Sequence, residues 1–167
     1  TSPQFGIIVK NTLVLAVYTQ LISMPFPILL AIGLNYCRSS KLKKTVQMIT
    51  YLPHFLSTVI IVSLITMLFN YQTGLVSNIS NMLFGQRVDI MNVATNFKHL
   101  FVWSDVWQNA GWSSILYVSA LAGVDPSLHE AAMIDGASKW KRIYHIDMPC
   151  ILPTVAIMLV MSMGKLL

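Results

Sequence analysis

Long stretches without charged side chains constrain this fold more than any other feature of the sequence. Residues 13–34 contain no acidic, basic or histidine side chain, and residues 46–69 contain only His54. A helix needs about 20 apolar residues to cross the hydrocarbon core of a bilayer, because each residue advances it by about 1.5 Å. A continuous helix also pairs the backbone groups that lipid cannot hydrogen-bond. These two stretches therefore predict membrane-spanning helices.

Two further stretches approach the same length. Residues 100–124 are apolar apart from Asp105 and a few amides and hydroxyls, and residues 148–164 are uncharged. Only 10% of the chain is charged, whereas soluble domains carry about a quarter. We predict an all-α integral membrane protein, a polytopic helical bundle. Residues 1–167 form one domain with about four spans, which we place at 13–34, 46–69, 100–124 and 148–167.

Prolines indicate that these spans need not be continuous helices. Pro53 and Pro153 lie inside two of them, where membrane helices tolerate a proline kink. We interpret His54, which follows Pro53, as a packing or kink residue.

The distribution of lysine and arginine predicts the orientation. Residues 37–44 carry four basic side chains and no acidic one, and residues 125–147 carry three more basic side chains. Short cytoplasmic loops accumulate such residues, so both segments are predicted to be cytoplasmic. Seven basic residues then lie inside and three outside, counting Lys10. The net charge of +5 is spread between loops rather than gathered in one patch, which argues against nucleic-acid binding.

The cytoplasmic loop, residues 125–149, has the pattern of two short helices. Asp125 is a good N-cap residue and Pro126 suits a first helical turn. Gly136 can end this helix in a left-handed conformation, and Ser138 can cap a second one. We expect the second helix to be closed by Pro149, so that the loop forms a helix-turn-helix elbow.

The same loop carries a specific motif. Glu130-Ala131-Ala132, then Gly136 after three residues, then Ile146 after nine more, then Met148-Pro149, resembles the EAA loop of binding-protein-dependent ABC importer permeases. In that pattern Leu stands where this chain has Met148. The sequence around the motif is most similar to that of multiple-sugar and polysaccharide permeases. Such permeases have about six spans, and this chain begins without Met and stops inside an apolar run, so we interpret it as a fragment.

The resemblance implies a function without a catalytic centre or cofactor in this chain. It implies a permease subunit of the prokaryotic cell membrane that imports sugars by alternating access. The implied partners are a cytoplasmic ABC ATPase dimer, a second permease subunit and an extracellular substrate-binding protein. The implied ATPase-coupling residues are Glu130, Ala131, Ala132, Asp135, Gly136, Ile146 and Pro149. In the alternative interpretation, Glu130 only caps a helix of a surface elbow.

A polar helical face marks a possible substrate path. Asp105, Gln108, Asn109 and Trp112 follow the spacing i, i+3, i+4 and i+7, so they share one side of the third predicted span. Polar groups in a span usually face the bundle or a water-filled cavity. Amides can bind sugar hydroxyls and an indole can stack on a sugar ring. Bonding between helices, or anchoring at the membrane interface, is the alternative for these side chains.

Two rival functions stay open. A membrane enzyme of lipid-linked sugar transfer needs a carboxylate pair or metal ligands near the interface. Of the acidic residues, only Asp89 and Asp105 lie outside the cytoplasmic loop, and both are predicted to be on the outer side. The two cysteines form no metal motif. A passive channel would need no elbow that docks on an ATPase.

Overall fold

The computed structural model describes residues 3–164. Within that range the chain forms helices and no strand. The helices are α1 (Pro3–Ser23), α2 (Pro25–Asn35), α3 (Ser40–Tyr51), α4 (Thr58–Phe69), α5 (Leu75–Phe84), α6 (Ala94–Ala122), α7 (Pro126–Ile134), α8 (Lys139–Arg142) and α9 (Met148–Met163). A 3-10 turn, Leu52–Phe55, follows α3, and a π-helical turn, Ile143–Asp147, joins α8 to α9.

Two helical segments in the described part of the chain are long and apolar enough to cross a membrane. Gln4–Asn35 combines α1 with α2 over 32 residues, and Lys139–Met163 combines α8, the π turn and α9 over 25 residues. The first contains the predicted span 13–34 and begins earlier. Residues 148–163 of the last predicted span, 148–167, lie in the second; Gly164 caps that helix, and residues 165–167 are outside the described range.

The second predicted span, residues 46–69, does not form one straight helix. The segments Ser40–Phe55 and Thr58–Phe69 are bent by 103° at a short break. Pro53 lies in the 3-10 turn, Leu56 is extended, and the Ser57 hydroxyl accepts a hydrogen bond from the Ile60 amide at 3.4 Å, so the helix restarts as α4. This agrees with the prolines, which indicate that the predicted spans need not be continuous helices. The cap at Ser57 explains where the break falls.

Helix α6 lies at the centre of the bundle. Its 29 residues extend for about 43 Å and pack against α1, α2, α3, the 3-10 turn and α9. Ala31, Tyr117, Leu121 and Ile151 form a buried cluster where α2, α6 and α9 meet. The third predicted span, 100–124, corresponds to the larger part of α6. Its polar face makes α6 less apolar than the two segments above, and neighbouring helices contact that face.

Large apolar side chains cover much of the outside of the bundle. On α1, Phe5, Ile7 and Leu13 are about 60% exposed, at 61%, 62% and 58%. Water would disfavour such a surface, whereas lipid tails solvate it without cost. The exposed face of α1 is thus consistent with a membrane-embedded bundle.

Candidate functional site

Helix α7 begins and ends as the sequence predicts. The Asp125 carboxylate accepts a hydrogen bond from the Ser127 amide at 2.9 Å, which satisfies one of the free donors of the first turn. The same hydrogen bond lowers the pKa of Asp125. Gly136 has a φ of 72°, in the left-handed region, and follows the last turn. The prediction of a helix between Asp125 and Gly136 is therefore confirmed.

Gly136 ends α7 through a two-bond C-terminal motif. The Ala137 amide donates to the Ala132 carbonyl at 2.8 Å, and the Gly136 amide donates to the Met133 carbonyl at 3.1 Å. This pair of bonds defines a Schellman motif, which needs a left-handed residue at Gly136. The Ser138 hydroxyl then accepts from the Lys141 amide at 3.4 Å and starts α8, as predicted. We call residues 125–142 the coupling elbow.

The prediction that Pro149 closes the second helix is wrong. Lys139–Met163 is one continuous helical segment that passes through Pro149. In a regular α-helix the proline ring would clash with the carbonyl four residues earlier, at His145. The π turn Ile143–Asp147 widens the backbone just before the proline and removes this conflict. The elbow is therefore joined to the last apolar helix without a break in helical structure.

Most residues of the motif lie on the surface. Glu130, Ala131, Asp135, Gly136 and Pro149 are exposed, whereas Ala132 and Ile146 are half-buried. Large apolar side chains accompany them on the elbow: Ile134 is 87% exposed and Trp140 is 80% exposed. Apolar side chains that cluster on a surface next to polar ones are typical of a binding interface.

The polar face of α6 is engaged by neighbouring helices. Gln108 Nε2 donates to the Leu56 carbonyl at 3.1 Å, which is one of the carbonyls that the break before α4 leaves free. Asp105 accepts from Asn109 Nδ2 at 2.8 Å and from the Ser23 hydroxyl at 3.3 Å. The face therefore connects α6 to the end of α1 and to the break.

His54 completes this network. Its Nδ1 donates to Asn109 Oδ1 at 3.0 Å, and its ring stacks on Trp112 with the two planes 4° apart and the centroids separated by 4.7 Å. This confirms the interpretation of His54 as a packing residue at a kink. We call Asp105, Gln108, Asn109 and Trp112, with their partners Ser23, His54 and Leu56, the α6 seam.

Two features of these sites were not found from the sequence. Gly111 is buried where α6 crosses α3, and a Cβ there would overlap the Thr50 carbonyl. Asp147 is completely buried at the π turn, and the Tyr36 hydroxyl donates to its Oδ2 at 2.7 Å. Both depend on contacts between distant parts of the chain, and no local pattern signals them. The Tyr36 contact also places the turn after α2 and the coupling elbow at the same end of the bundle.

Comparison with known proteins gives consistent matches over nearly the whole chain. Residues 23–167 match the family described as binding-protein-dependent transport system inner membrane component. The polygalacturonan/rhamnogalacturonan transport system permease protein YteP of Bacillus subtilis is 38% identical over 167 residues, which are 100% of this chain and 52% of YteP. Protein LplB of the same organism is 35% identical over 166 residues, 99% of this chain and 52% of LplB. The chain thus spans about half the length of these relatives.

A solved structure shares the fold. The crystal structure of a bacterial ABC transporter involved in the import of the acidic polysaccharide alginate matches with a TM-score of 0.96 and 39% identity. The match covers 100% of this chain and 58% of that one. The alginate transporter has also been solved in complex with an alginate pentasaccharide-bound periplasmic protein, with the same agreement.

Proposed function

Since the chain belongs to the family of binding-protein-dependent transport system inner membrane components, we propose that it is part of a permease subunit of an ATP-driven oligosaccharide importer. The membership confirms the resemblance that the EAA motif indicated. In our proposal the permease has no catalytic centre and switches between outward-open and inward-open states. A cytoplasmic ATPase dimer hydrolyses the ATP, and a second permease subunit and an extracellular substrate-binding protein complete the transporter.

The coupling elbow carries this proposal, because it combines the EAA motif with an exposed apolar surface. Ile134 and Trp140 are more than three-quarters exposed, at 87% and 80%. We propose that they enter a groove of the ATPase on the cytoplasmic side, where burial would remove them from water. Glu130 would pair there with a basic group, and the small Ala131 and half-buried Ala132 would allow the two backbones to approach.

We propose that the remaining motif residues take part in coupling by shaping the elbow and joining it to the membrane. Gly136 makes the turn between α7 and α8 through its left-handed conformation, with Asp135 exposed just before it. Ile146 and Pro149 lie in the continuous segment that joins the elbow to the membrane. We propose that this segment carries the movement of the elbow towards the transport path.

We propose oligosaccharide fragments of polysaccharides as substrates, with acidic ones as the first to test. The relatives support this choice, because one is named for polygalacturonan/rhamnogalacturonan transport and the solved neighbour for alginate import. The α6 seam is our proposed path. Trp112 is 44% exposed and Phe55, in edge-to-face contact with it, is 70% exposed, so aromatic surface is open to the C–H face of a sugar.

The experiment compares matched substitutions in the complete permease, expressed with its ATPase, its partner permease and its binding protein. Gly136→Val and Glu130→Lys alter the elbow. Gly85→Val and Asp89→Lys are the controls, because Gly85 ends α5 with a similar φ of 68° and no neighbour within 4 Å of an added Cβ, as at Gly136. We expect both elbow variants to insert in the membrane but to lose most ATPase co-purification and sugar uptake.

The controls should retain both properties, because Gly85 has a left-handed conformation similar to that of Gly136 but lies outside the elbow. Full co-purification of the ATPase and normal stimulated ATP hydrolysis in both elbow variants would contradict docking through the elbow. Uptake of sugar without any ATPase would instead favour a passive channel.

A further inference from the structure

A buried carboxylate connects the coupling elbow to the membrane helices. Asp147 is 0% exposed and occupies the one position of the Ile-x-Leu-Pro part of the motif that the pattern leaves free. Its Oδ2 accepts a hydrogen bond from the Tyr36 hydroxyl at 2.7 Å, and its Oδ1 lies 3.4 Å from His129 Nε2. Tyr36 ends α2, His129 belongs to α7 and Asp147 precedes α9. Three elements therefore meet at one side chain.

The surroundings keep Tyr36 as the donor of this bond. Burial, and then the hydrogen bond and charge of Asp147, raise the pKa of Tyr36 to about 12, so its hydroxyl keeps its proton at any physiological pH. The Arg142 guanidinium lies over the Tyr36 ring, 5.9 Å from its centroid. We call Tyr36, His129, Arg142 and Asp147 the Asp147 cluster.

Helix α7 has few other attachments to the bundle. None of its residues is buried. Within residues 3–164, one polar side-chain contact joins α7 to another element. It runs from His129 to Asp147. Apart from its connections along the chain, the position of α7 relative to α2 and α9 therefore depends strongly on this contact.

We infer that Asp147 is the positioning residue that transmits displacement of α7 to the end of α2 and to α9. The Tyr36 hydroxyl is the hydrogen-bond donor to Asp147, and His129 faces its second oxygen. A buried carboxylate that loses such partners is strongly disfavoured, so the three elements resist separation and move together. Because Asp147 is buried, it acts from behind the exposed face of the elbow and does not contact the ATPase itself. This inference rests on the proposed function, in which the elbow docks on the ATPase.

The test measures how many sugar molecules enter per ATP hydrolysed by the complete transporter in vesicles. Asp147→Asn retains the shape but removes the charge that faces His129, and Tyr36→Phe retains the ring below Arg142 but removes the hydroxyl. We expect each variant to co-purify with the ATPase, which it does not contact, and to lose most of this ratio, because each weakens a buried polar contact of residue 147.

Two substitutions of the same chemistry serve as controls. Asp89→Asn alters a carboxylate that accepts hydrogen bonds from Asn92 in its own loop, and Tyr71→Phe alters a tyrosine that is 43% exposed. Both should retain the wild-type ratio. The double variant Asp147→Asn/Tyr36→Phe should lose little more than the stronger single variant, because both act through the contacts of one side chain.

The outcomes separate this inference from the proposed function. A wild-type ratio in both Asp147→Asn and Tyr36→Phe would overturn the role of Asp147 while leaving ATP-driven uptake in place. If Asp147→Asn fails to assemble, the ratio measured for Tyr36→Phe decides alone. A wild-type complex with no ATP-driven uptake would instead overturn the proposed function.

Discussion

The coupling elbow and the α6 seam use similar residue types, but they differ in the range of their contacts. The hydrogen bonds that build the elbow connect residues two to five positions apart, such as Asp125 to Ser127 and Ala132 to Ala137. Apart from the bond between Asn109 and Asp105 within α6, those of the seam connect α6 with residues 52, 55 and 82 positions away. The elbow presents its side chains to the outside, whereas the seam uses them to hold helices together. Local bonds thus leave the elbow surface free for a partner, whereas long-range bonds occupy polar groups of the seam and leave aromatic surface at Trp112 exposed.

The largest effect that we expect is on thermal stability, and it comes from replacing a glycine by alanine in α6 rather than in the elbow. Gly111→Ala places a Cβ on the Thr50 carbonyl where α3 crosses α6, so the helices have to move apart. Gly136→Ala meets nothing within 4 Å and costs only the left-handed conformation, about 1 kcal/mol. We expect Gly111→Ala to lower the thermal midpoint of the purified permease by about 5–10 °C and Gly136→Ala by a few degrees at most.

The measurement is thermal unfolding in detergent, followed by fluorescence and by size-exclusion chromatography. Equal midpoints for the two alanine variants would show that the contact between α3 and α6 tolerates a methyl group. The distinction between the packed α6, which carries the seam, and the open elbow would then fail at Gly111.

An intermediate effect is expected at Gln108, and it tests whether the seam is structural, substrate-binding or both. Gln108→Ala leaves the half-buried Leu56 carbonyl without its donor, which costs about 1 kcal/mol, the lower end of the range for a buried group. Gln47→Ala is the control, since Gln47 donates to Tyr51 within one helix. We expect the thermal midpoint of Gln108→Ala to fall by about 2–6 °C and that of Gln47→Ala to change little.

Sugar uptake measured on the same variants sharpens this prediction. Reduced uptake at an unchanged midpoint for Gln108→Ala would assign the side chain to the transport path. A lower midpoint with normal uptake per folded transporter would assign it to the break between α3 and α4.

The smallest effect is expected at the N-terminus of α7 and depends on pH. The Ser127 amide and hydroxyl lower the pKa of Asp125 below its usual value, so the charged form stabilises the folded helix end. This contribution is fully present above the unfolded-state pKa, near 4, and disappears as the pH falls through the lower folded-state value. We expect α7 amides to exchange hydrogen faster at acidic pH, relative to intrinsic rates, in the wild type.

Asp125→Asn is the matched control, because asparagine caps a helix but does not titrate in this range. Its α7 amides should show no such dependence on pH. The same acid-dependent loss of protection in the variant would show that another group controls this helix end.

Particular residues show where sequence reasoning succeeded. Asp125, Gly136 and Ser138 predicted the ends of the elbow helices, because caps and left-handed turns are satisfied by neighbours a few residues away. The interpretation of His54 as a kink residue followed from Pro53 beside it. The prediction that Pro149 ends a helix failed. It rests on a local rule that proline terminates helices, whereas the π turn before Pro149 accommodates the ring.

The sequence by itself determined that the chain enters a membrane, that its elbow folds as two capped helices and that it carries the motif of its family. These properties depend on apolar length and on contacts between near neighbours, which a linear pattern records. Only the tertiary structure decided that α6 lies at the centre, that residues 46–69 bend by 103° and that Asp147 is buried beside Tyr36. Those properties depend on which distant helices pack together, because a polar group in an apolar bundle is stable only where a partner from another helix reaches it.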